Sequence, residues 1–331
     1  MLHDILKLRM TAAALLAITA TAFTGCRHAS CPPEVLKETG IFSIKGDDTL
    51  RYDRYHVPGC TQYADTRSAS PVVMFAFGGG FKGGDRASGK YLEYFEFLAR
   101  EGYNVVSVDY RTMLAEADTS AHASPLDFMA LLQGAVDTAV ADLHDATVYV
   151  LERQEQWNID PDLIVISGSS AGAITVLQAE YYLCNSAPLA SRLPEDFRYA
   201  GVISFAGAIS SADSLHWNTL PCPMMLFHGD ADKVVPFRSA HIPGIGGLWG
   251  SATIADCLNA AETSYSFYRV GNAGHEVATI PMIHNLYDIA GFLSQQVRAA
   301  RKLAVRTTES VPGAPDKKME FTIMDYLISN R

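Results

Sequence analysis

The 331-residue chain has only six cysteines, five of them after Cys26 (Cys31, Cys60, Cys184, Cys222 and Cys257). None shows metal-ligand spacing, so the sequence gives no support for a structural zinc site or an iron–sulfur cluster. An odd count beyond Cys26 leaves at least one free thiol; in an exported protein Cys31 and Cys60 are a pair open to disulfide formation. Positive charge is scarce as well, with 26 Lys and Arg against 36 Asp and Glu. An acidic chain with no basic cluster argues against nucleic acid as a partner. Past the first 25 residues no apolar run is long enough to span a bilayer, and no internal repeat is present. The chain has 48% hydrophobic residues, and roughly 300 residues of that kind can bury one large α/β core.

The first residues, MLHDILKLRMTAAALLAITATAFTGC, combine Lys7 and Arg9 with an apolar core from Met10 to Phe23, followed by small residues up to Cys26. This is the pattern of an export signal and is set aside from fold reasoning. Its end, Phe23-Thr24-Gly25-Cys26, resembles a bacterial lipobox. The resemblance implies that Cys26 becomes a lipidated first residue, tethering the protein to a bacterial membrane at the periplasmic side or the cell surface. Phe23 departs from the aliphatic residue usual there, which leaves plain cleavage and a soluble secreted product open. Removing residues 1–25 takes away Asp4, Lys7 and Arg9, leaving 24 basic against 35 acidic residues and a net charge of −11.

The most informative stretch lies near the middle of the chain, Leu163-Ile164-Val165-Ile166 followed by Ser167-Gly168-Ser169-Ser170-Ala171-Gly172. Four apolar residues, too few for a helix and bounded by glycine, read as a strand buried on both faces. From Ala171 to Leu183 the apolar residues take helical spacing. Gly168-x-Ser170-x-Gly172 at such a junction is a nucleophile elbow. The glycines permit a tight turn, which aims the helix N-terminus at the Ser170 hydroxyl.

Around it the chain alternates. Ile41–Ile44 and Leu50–Val57 read as strands about a turn at Gly46. Pro71–Phe77 is a buried strand running into Gly78-Gly79-Gly80-Phe81-Lys82-Gly83-Gly84. That loop lacks the Gly-Lys-Ser/Thr ending of a phosphate-binding P-loop; three consecutive glycines instead offer closely approachable backbone N–H groups for an oxyanion. An amphipathic helix is expected over Ala87–Glu101 and a strand over Tyr103–Tyr110. An irregular stretch over Met113–Leu126 and a long helix over Asp127–Gln156 follow. Further strands are expected at Tyr199–Phe205 and Met224–Phe227, with a last one at Ser264–Val270. The alternation predicts an α/β fold with a mostly parallel, doubly wound sheet and helices on both faces. Two strand ends then carry chemistry: His228-Gly229-Asp230-Ala231-Asp232 after the Met224 strand, and Gly274-His275-Glu276 after the last. Open α/β sheets build their sites at such ends, and Ser, Asp, His is the chain order of the triad on them. Asp230 and Asp232 compete for the acid.

These motifs together resemble the α/β-hydrolases of the carboxylesterase/lipase group. Phe77-Gly78-Gly79-Gly80-Phe81 is similar to their oxyanion loops, and Asp109-Tyr110-Arg111, Gly168–Gly172 and His228–Pro236 match the hormone-sensitive-lipase-like members. The resemblance covers about residues 71–296. It implies a serine esterase for small or medium carboxylic esters, with no cofactor or metal. In it Ser170 is the nucleophile, His275 the base and Asp232 the acid, favoured over Asp230. Backbone N–H groups of Gly79, Gly80 and Ala171 form the oxyanion hole. Phe77 replaces the His of the HGGG form, and Ser169 stands where relatives carry Asp or Glu. Two rivals stay open: a prolyl-oligopeptidase-like serine peptidase, and a tethered non-catalytic binding protein on a hydrolase scaffold. The expected organisation is a signal over residues 1–25, a tether over 26–40, the hydrolase domain over 41–300 and a C-terminal extension over 301–331. His228 is expected in a packing or hydrogen-bonding role, Glu276 as a solvated neighbour or a secondary hydrogen-bond partner, and Cys184 as a buried small hydrophobe. Phe81 and Met113 are read as pocket lining or core, and the glycine-rich segment 241–251 as the rim of the substrate entrance or a connector.

Overall fold

In chain order the strands are β1 (Leu36–Lys45), β2 (Asp48–His56), β3 (Ser70–Ala76), β4 (Asn104–Val108), β5 (Ile159–Ser169), β6 (Gly201–Phe205), β7 (Ala208–Ser211), β8 (Met224–Gly229), β9 (Ser239–Ile242), β10 (Gly246–Gly250), β11 (Tyr265–Val270) and β12 (Ala304–Glu309). The principal helices are α1 (Leu92–Arg100), α2 (Pro125–Leu151), α3 (Ala171–Cys184) and α4 (Ser251–Ala260). The computed structural model describes residues 34–58, 69–115, 125–242 and 246–310, with 312–313, 321–322 and 325. The expected signal, the lipidation site Cys26, Cys31 and Cys60 lie outside the described residues, as do 116–124 of the expected irregular stretch. Among the described residues no helix is long and apolar enough to cross a membrane.

Nine strands form one sheet in the order β1-β2-β4-β3-β5-β6-β8-β11-β12. Pairing is parallel from β4 to β12, and antiparallel only where the β1–β2 hairpin joins at one edge. The predicted doubly wound sheet is therefore present. Consecutive residues Val72, Val73, Met74 and Phe75 on β3, and Ile164, Val165 and Ile166 on β5, are fully buried. Side chains alternate faces along a strand, so a run buried without interruption means that both faces are covered. Each such side chain contributes about 1.5–3 kcal/mol on leaving water.

The boundaries differ from those expected at both ends. Residues from Leu36 onward pair with β2, up to Leu36 opposite His56, so the sheet starts inside the segment read as tether. At the other end Ala304–Glu309 pairs in parallel with all of β11. The expected extension therefore supplies the edge strand, and Ser264–Val270 is not the last one. β12 exposes most of its side chains, so it lacks the buried run by which the inner strands announce themselves. Within 241–251 the described residues belong to strands and to the start of α4. β9 and β10 form a small antiparallel sheet with β7, outside the main one. Gly247 and Gly250 sit where a Cβ would collide with the carbonyls of Ala240 and Pro236. Close backbone approach, not a loop, explains these glycines. α1 is shorter than expected because Gly89–Tyr91 form a 3₁₀ turn before it.

Candidate active site

β3 and β5 run side by side with Ala76 opposite Gly168, which brings the glycine loop and the elbow to the same sheet edge. Ser170 has φ 53° and ψ −116°, a strained conformation for a residue with a side chain. The surrounding glycines make it possible. A Cβ on Gly168 would strike the Gly172 carbonyl, and one on Gly172 the Ala76 carbonyl. A Cβ on Gly78 would lie 2.9 Å from the Ser169 carbonyl oxygen and 3.1 Å from Ser170 Cβ. Strand, helix and loop thus meet backbone to backbone, and Ser170 is held at the apex of the turn.

β8 and β11 are also neighbours, with Gly229 opposite Val270, so the acid and histidine loops leave the sheet together. His275 Nε2 lies 2.8 Å from Ser170 Oγ, and His275 Nδ1 lies 2.7 Å from Asp232 Oδ2. The three residues expected to act together are brought into one hydrogen-bonded chain. Asp232 is buried, and its other oxygen accepts the N–H groups of Val234 (2.7 Å) and Val235 (3.0 Å). Burial alone would raise its pKa, but the facing imidazoles of His228 and His275 outweigh this and hold the carboxyl well below the usual range. It stays ionised and can stabilise an imidazolium.

Asp230 does not reach His275. It pairs with Arg269 (2.7 and 2.8 Å) and accepts the Asn272 N–H at 2.7 Å, bracing the loop on which His275 stands. His228 has no exposure; its Nδ1 is 2.8 Å from Ser251 Oγ and its Nε2 is 3.2 Å from the Val235 carbonyl and 3.4 Å from Asp232 Oδ2. The expected hydrogen-bonding role is what the structure contains, and it is spent on the acid loop. Ser169 donates to the Ala278 carbonyl at 2.8 Å, tying the elbow to the turn that begins at His275. Glu276 accepts the Gly274 N–H at 2.9 Å.

In the glycine loop, Gly80 and Ala171 line a small cavity beside Ser170, whereas Gly79 is packed against Gly83 and is not among the lining residues. Phe77 cannot supply the hydrogen bonds of a histidine. Tyr110, stacked on Phe77 at 4.4 Å, donates to the Phe77 carbonyl at 2.7 Å, and the Gly78 N–H donates to Tyr91 Oη at 3.0 Å. Tyr91 carried no sequence signal. Tyr110 lay in a recognised motif, but its task did not. Arg111 of that motif forms a two-pronged ion pair with buried Asp142 on α2 (2.9–3.3 Å). Phe81 lines the cavity; Met113 is exposed and does not. Cys184 is buried, as expected, and burial and the neighbouring Glu180 push its thiol pKa up. Among the described residues, no group of three or more His, Cys, Asp or Glu is arranged to hold a metal ion.

Comparison with known proteins agrees with this geometry. Esterase 2 of Thermogutta terrifontis superposes with a TM-score of 0.57 in its propionate-bound form, at 19% identity over 78% of this chain and 94% of that one. The apo form gives 0.56 at 20% identity, over 80% and 96%. The chain has the α/β-hydrolase fold. A model of the BD-FAE family, an α/β-hydrolase esterase family, matches residues 62–212, a little under half of this chain. Acetylcholinesterase of Gallus gallus is 30% identical over 172 residues, 47% of this chain and 20% of that protein. NocK of Nocardia uniformis subsp. tsuyamanensis, an esterase by name, is 33% identical over 138 residues, 40% of this chain and 36% of its own length. The chain thus spans about a fifth and about a third of the length of these two relatives.

Proposed function

We propose that the protein hydrolyses carboxylic esters through an acyl-enzyme on Ser170. The observation that carries this is the unbroken chain from Ser170 Oγ to His275 (2.8 Å) to Asp232 (2.7 Å), mounted on a strained elbow. A serine hydroxyl is a weak nucleophile and needs an adjacent base. His275 Nε2 takes the Ser170 proton as Oγ attacks the ester carbonyl, then returns it to the departing alcohol. Asp232 fixes the tautomer with Nδ1 protonated and balances the imidazolium. The tetrahedral oxyanion is received by backbone N–H groups of the glycine loop and the elbow, from the candidates Gly79, Gly80 and Ala171. Each such donor is worth about 3 kcal/mol in comparable sites. Water, activated by the same histidine, then breaks the acyl-enzyme and releases the acid. The relatives described above are esterases by name, which supports an ester over a peptide substrate.

The test is hydrolysis of short-chain p-nitrophenyl esters by residues 27–331, beside Ser170→Ala. Turnover by the parent and a loss on the order of 10⁶-fold in the variant are expected. Turnover equal in both, or absent in the parent across acyl lengths, refutes the assignment. We further propose that the chain is exported and anchored through lipid on Cys26, as the leader pattern supports. Cys26→Ala should then shift the full-length protein from the membrane to the soluble fraction; an unchanged distribution rejects the anchor.

A further inference from the structure

The peptide that joins Phe77 to Gly78 is held by two phenol groups, one at each end. Tyr110 Oη donates to its carbonyl oxygen at 2.7 Å, and its N–H donates to Tyr91 Oη at 3.0 Å. Both tyrosines are buried, Tyr91 completely. They reach the peptide from different elements: Tyr91 closes the 3₁₀ turn Gly89–Tyr91 ahead of α1, and Tyr110 follows β4. The Tyr91 ring lies 4.7 Å from that of Phe75, and the Tyr110 ring stacks on Phe77 at 4.4 Å. A hydroxyl on a packed ring has no second position to take, so each bond keeps its direction.

This peptide is where the glycine loop meets the nucleophile. A Cβ on Gly78 would lie 3.1 Å from Ser170 Cβ, and a Cβ on Gly172 would lie 2.5 Å from the Phe77 carbonyl oxygen. Gly79 and Gly80 come next, both at positive φ (150° and 64°), and their N–H groups are candidate oxyanion donors. Glycine moves through φ at little cost, so such a run does not keep one conformation by itself. A turn of the 77–78 peptide plane would re-aim the N–H groups that follow. It would also break both tyrosine bonds together and leave a buried N–H and a buried C=O unpaired, a costly state. The Phe77 side chain has no polar atom with which to hold the loop from within. We propose that Tyr91 and Tyr110 are positioning residues for the reaction, clamping the 77–78 peptide so that the oxyanion donors are in place before substrate arrives. The inference rests on the esterase reading given above.

The far end of the loop is tied separately. The Phe81 carbonyl accepts the Leu114 N–H at 2.9 Å. Arg86 pairs with Asp109 at 2.9 and 3.0 Å, and its carbonyl accepts Ser107 Oγ at 2.9 Å. Those contacts act after the donors. Among the described residues, the two phenols are the side chains that hydrogen-bond to the main chain of residues 77–80. Donors preorganised where charge develops act on the transition state more than on the bound ester. A clamp on them therefore shows in kcat and leaves KM nearly alone. A role confined to stability changes how much protein is folded and not the turnover of each folded site.

The experiment compares Tyr91→Phe, Tyr110→Phe and the double variant with the parent on a short-chain p-nitrophenyl ester. Each exchange removes one hydroxyl and keeps the ring. Active sites are counted by labelling to completion with a fluorophosphonate, so that misfolded protein does not enter kcat. In each single variant kcat should fall by about 10–100-fold, less than the roughly 10²–10³-fold cost of deleting an oxyanion donor outright, with KM within about twofold. The double variant should be at most a few fold slower than the slower single one, because both hydroxyls act on one peptide. The Ki of an aryl boronic acid, which forms a tetrahedral adduct on Ser170, should rise by the factor by which kcat/KM falls. In the parent, the Gly78 amide should exchange its hydrogen as slowly as the amides of β3, a measurement that does not depend on the variants folding. Unchanged kcat in either single variant, a rise in KM alone, or Gly78 exchange at the rate of an open loop overturns the clamp while leaving the esterase reading intact. Hydrolysis of no ester by the parent overturns both.

Discussion

Ser170 is positioned by close backbone packing, whereas Asp232 and His275 add side-chain tethers to the backbone approach of Gly229 to Ala273 and Gly274. On the nucleophile side, Gly78, Gly168 and Gly172 let strand, helix and loop touch without intervening atoms, and Ser170 carries the strain at φ 53°. On the acid–base side the loops overhang the sheet and are pinned by polar contacts: Asp230 to Arg269 and Asn272, His228 to Ser251, Ser169 to Ala278. The centre of a parallel sheet is packed on both faces and cannot shift, so geometry there can be stored in the main chain. The acid and histidine loops beyond β8 and β11 touch through Gly229 and the Ala273 and Gly274 carbonyls, and polar side-chain tethers add to that contact. A backbone-held part should fail all at once when perturbed; a tethered part should fail in steps.

The largest expected effect is therefore at Gly172. Alanine there places a methyl inside contact distance of the Ala76 and Phe77 carbonyls, both main chain and both at the junction of β3 with the glycine loop. No rotamer relieves that contact. Gly172→Ala should lose at least about 3 kcal/mol of stability, the upper end for overpacking. It should also lower kcat/KM by at least about 10²-fold, since displacement of about 1 Å at a reacting centre has that consequence. Urea unfolding and ester hydrolysis measure both. Near-parental values in the two assays would mean the elbow is not held by backbone contact.

The same division explains what could be read in the residues alone. The elbow, the glycine loop and the strand-end placement of Asp232 and His275 were legible, because glycine spacing and buried apolar runs are local properties. Tyr91 and Tyr110 as supports of the loop that lacks a histidine were not. Their partners are main-chain atoms of Gly78 and Phe77, reached through tertiary packing. Ser169 gave only an unexplained departure from its relatives; its bond to Ala278 spans 109 residues. The small sheet of β7, β9 and β10 was hidden by its own glycines, which have no side chain to alternate between faces. β12 was hidden by its place at the edge, where the side chains stay exposed and only the backbone pairing marks a strand.

A graded effect is expected at Asp230, where one tether can be weakened without removing the rest. Its carboxylate is 3% exposed, but the Arg269 side chain opposite retains 41% exposure, so solvent screens the pair and its worth is nearer a surface ion pair than a buried one. Asp230→Asn keeps an oxygen for the Asn272 N–H and loses the charge; it should cost about 1 kcal/mol. Asp230→Ala leaves the Asn272 N–H and the guanidinium without that partner and should cost about 2–3 kcal/mol. Both loosen the loop that carries His275 while leaving Ser170 on its elbow. Fluorophosphonate labelling of Ser170, which depends on the base, should slow in the order parent, Asn, Ala, by about tenfold in all, if the loop shift costs about 1.4 kcal/mol at the transition state. Thermal unfolding supplies the matching order of stability. Equal labelling rates in all three proteins would show that the histidine loop is rigid without Asp230, and the contrast between a backbone-held nucleophile and a tethered base would then fail.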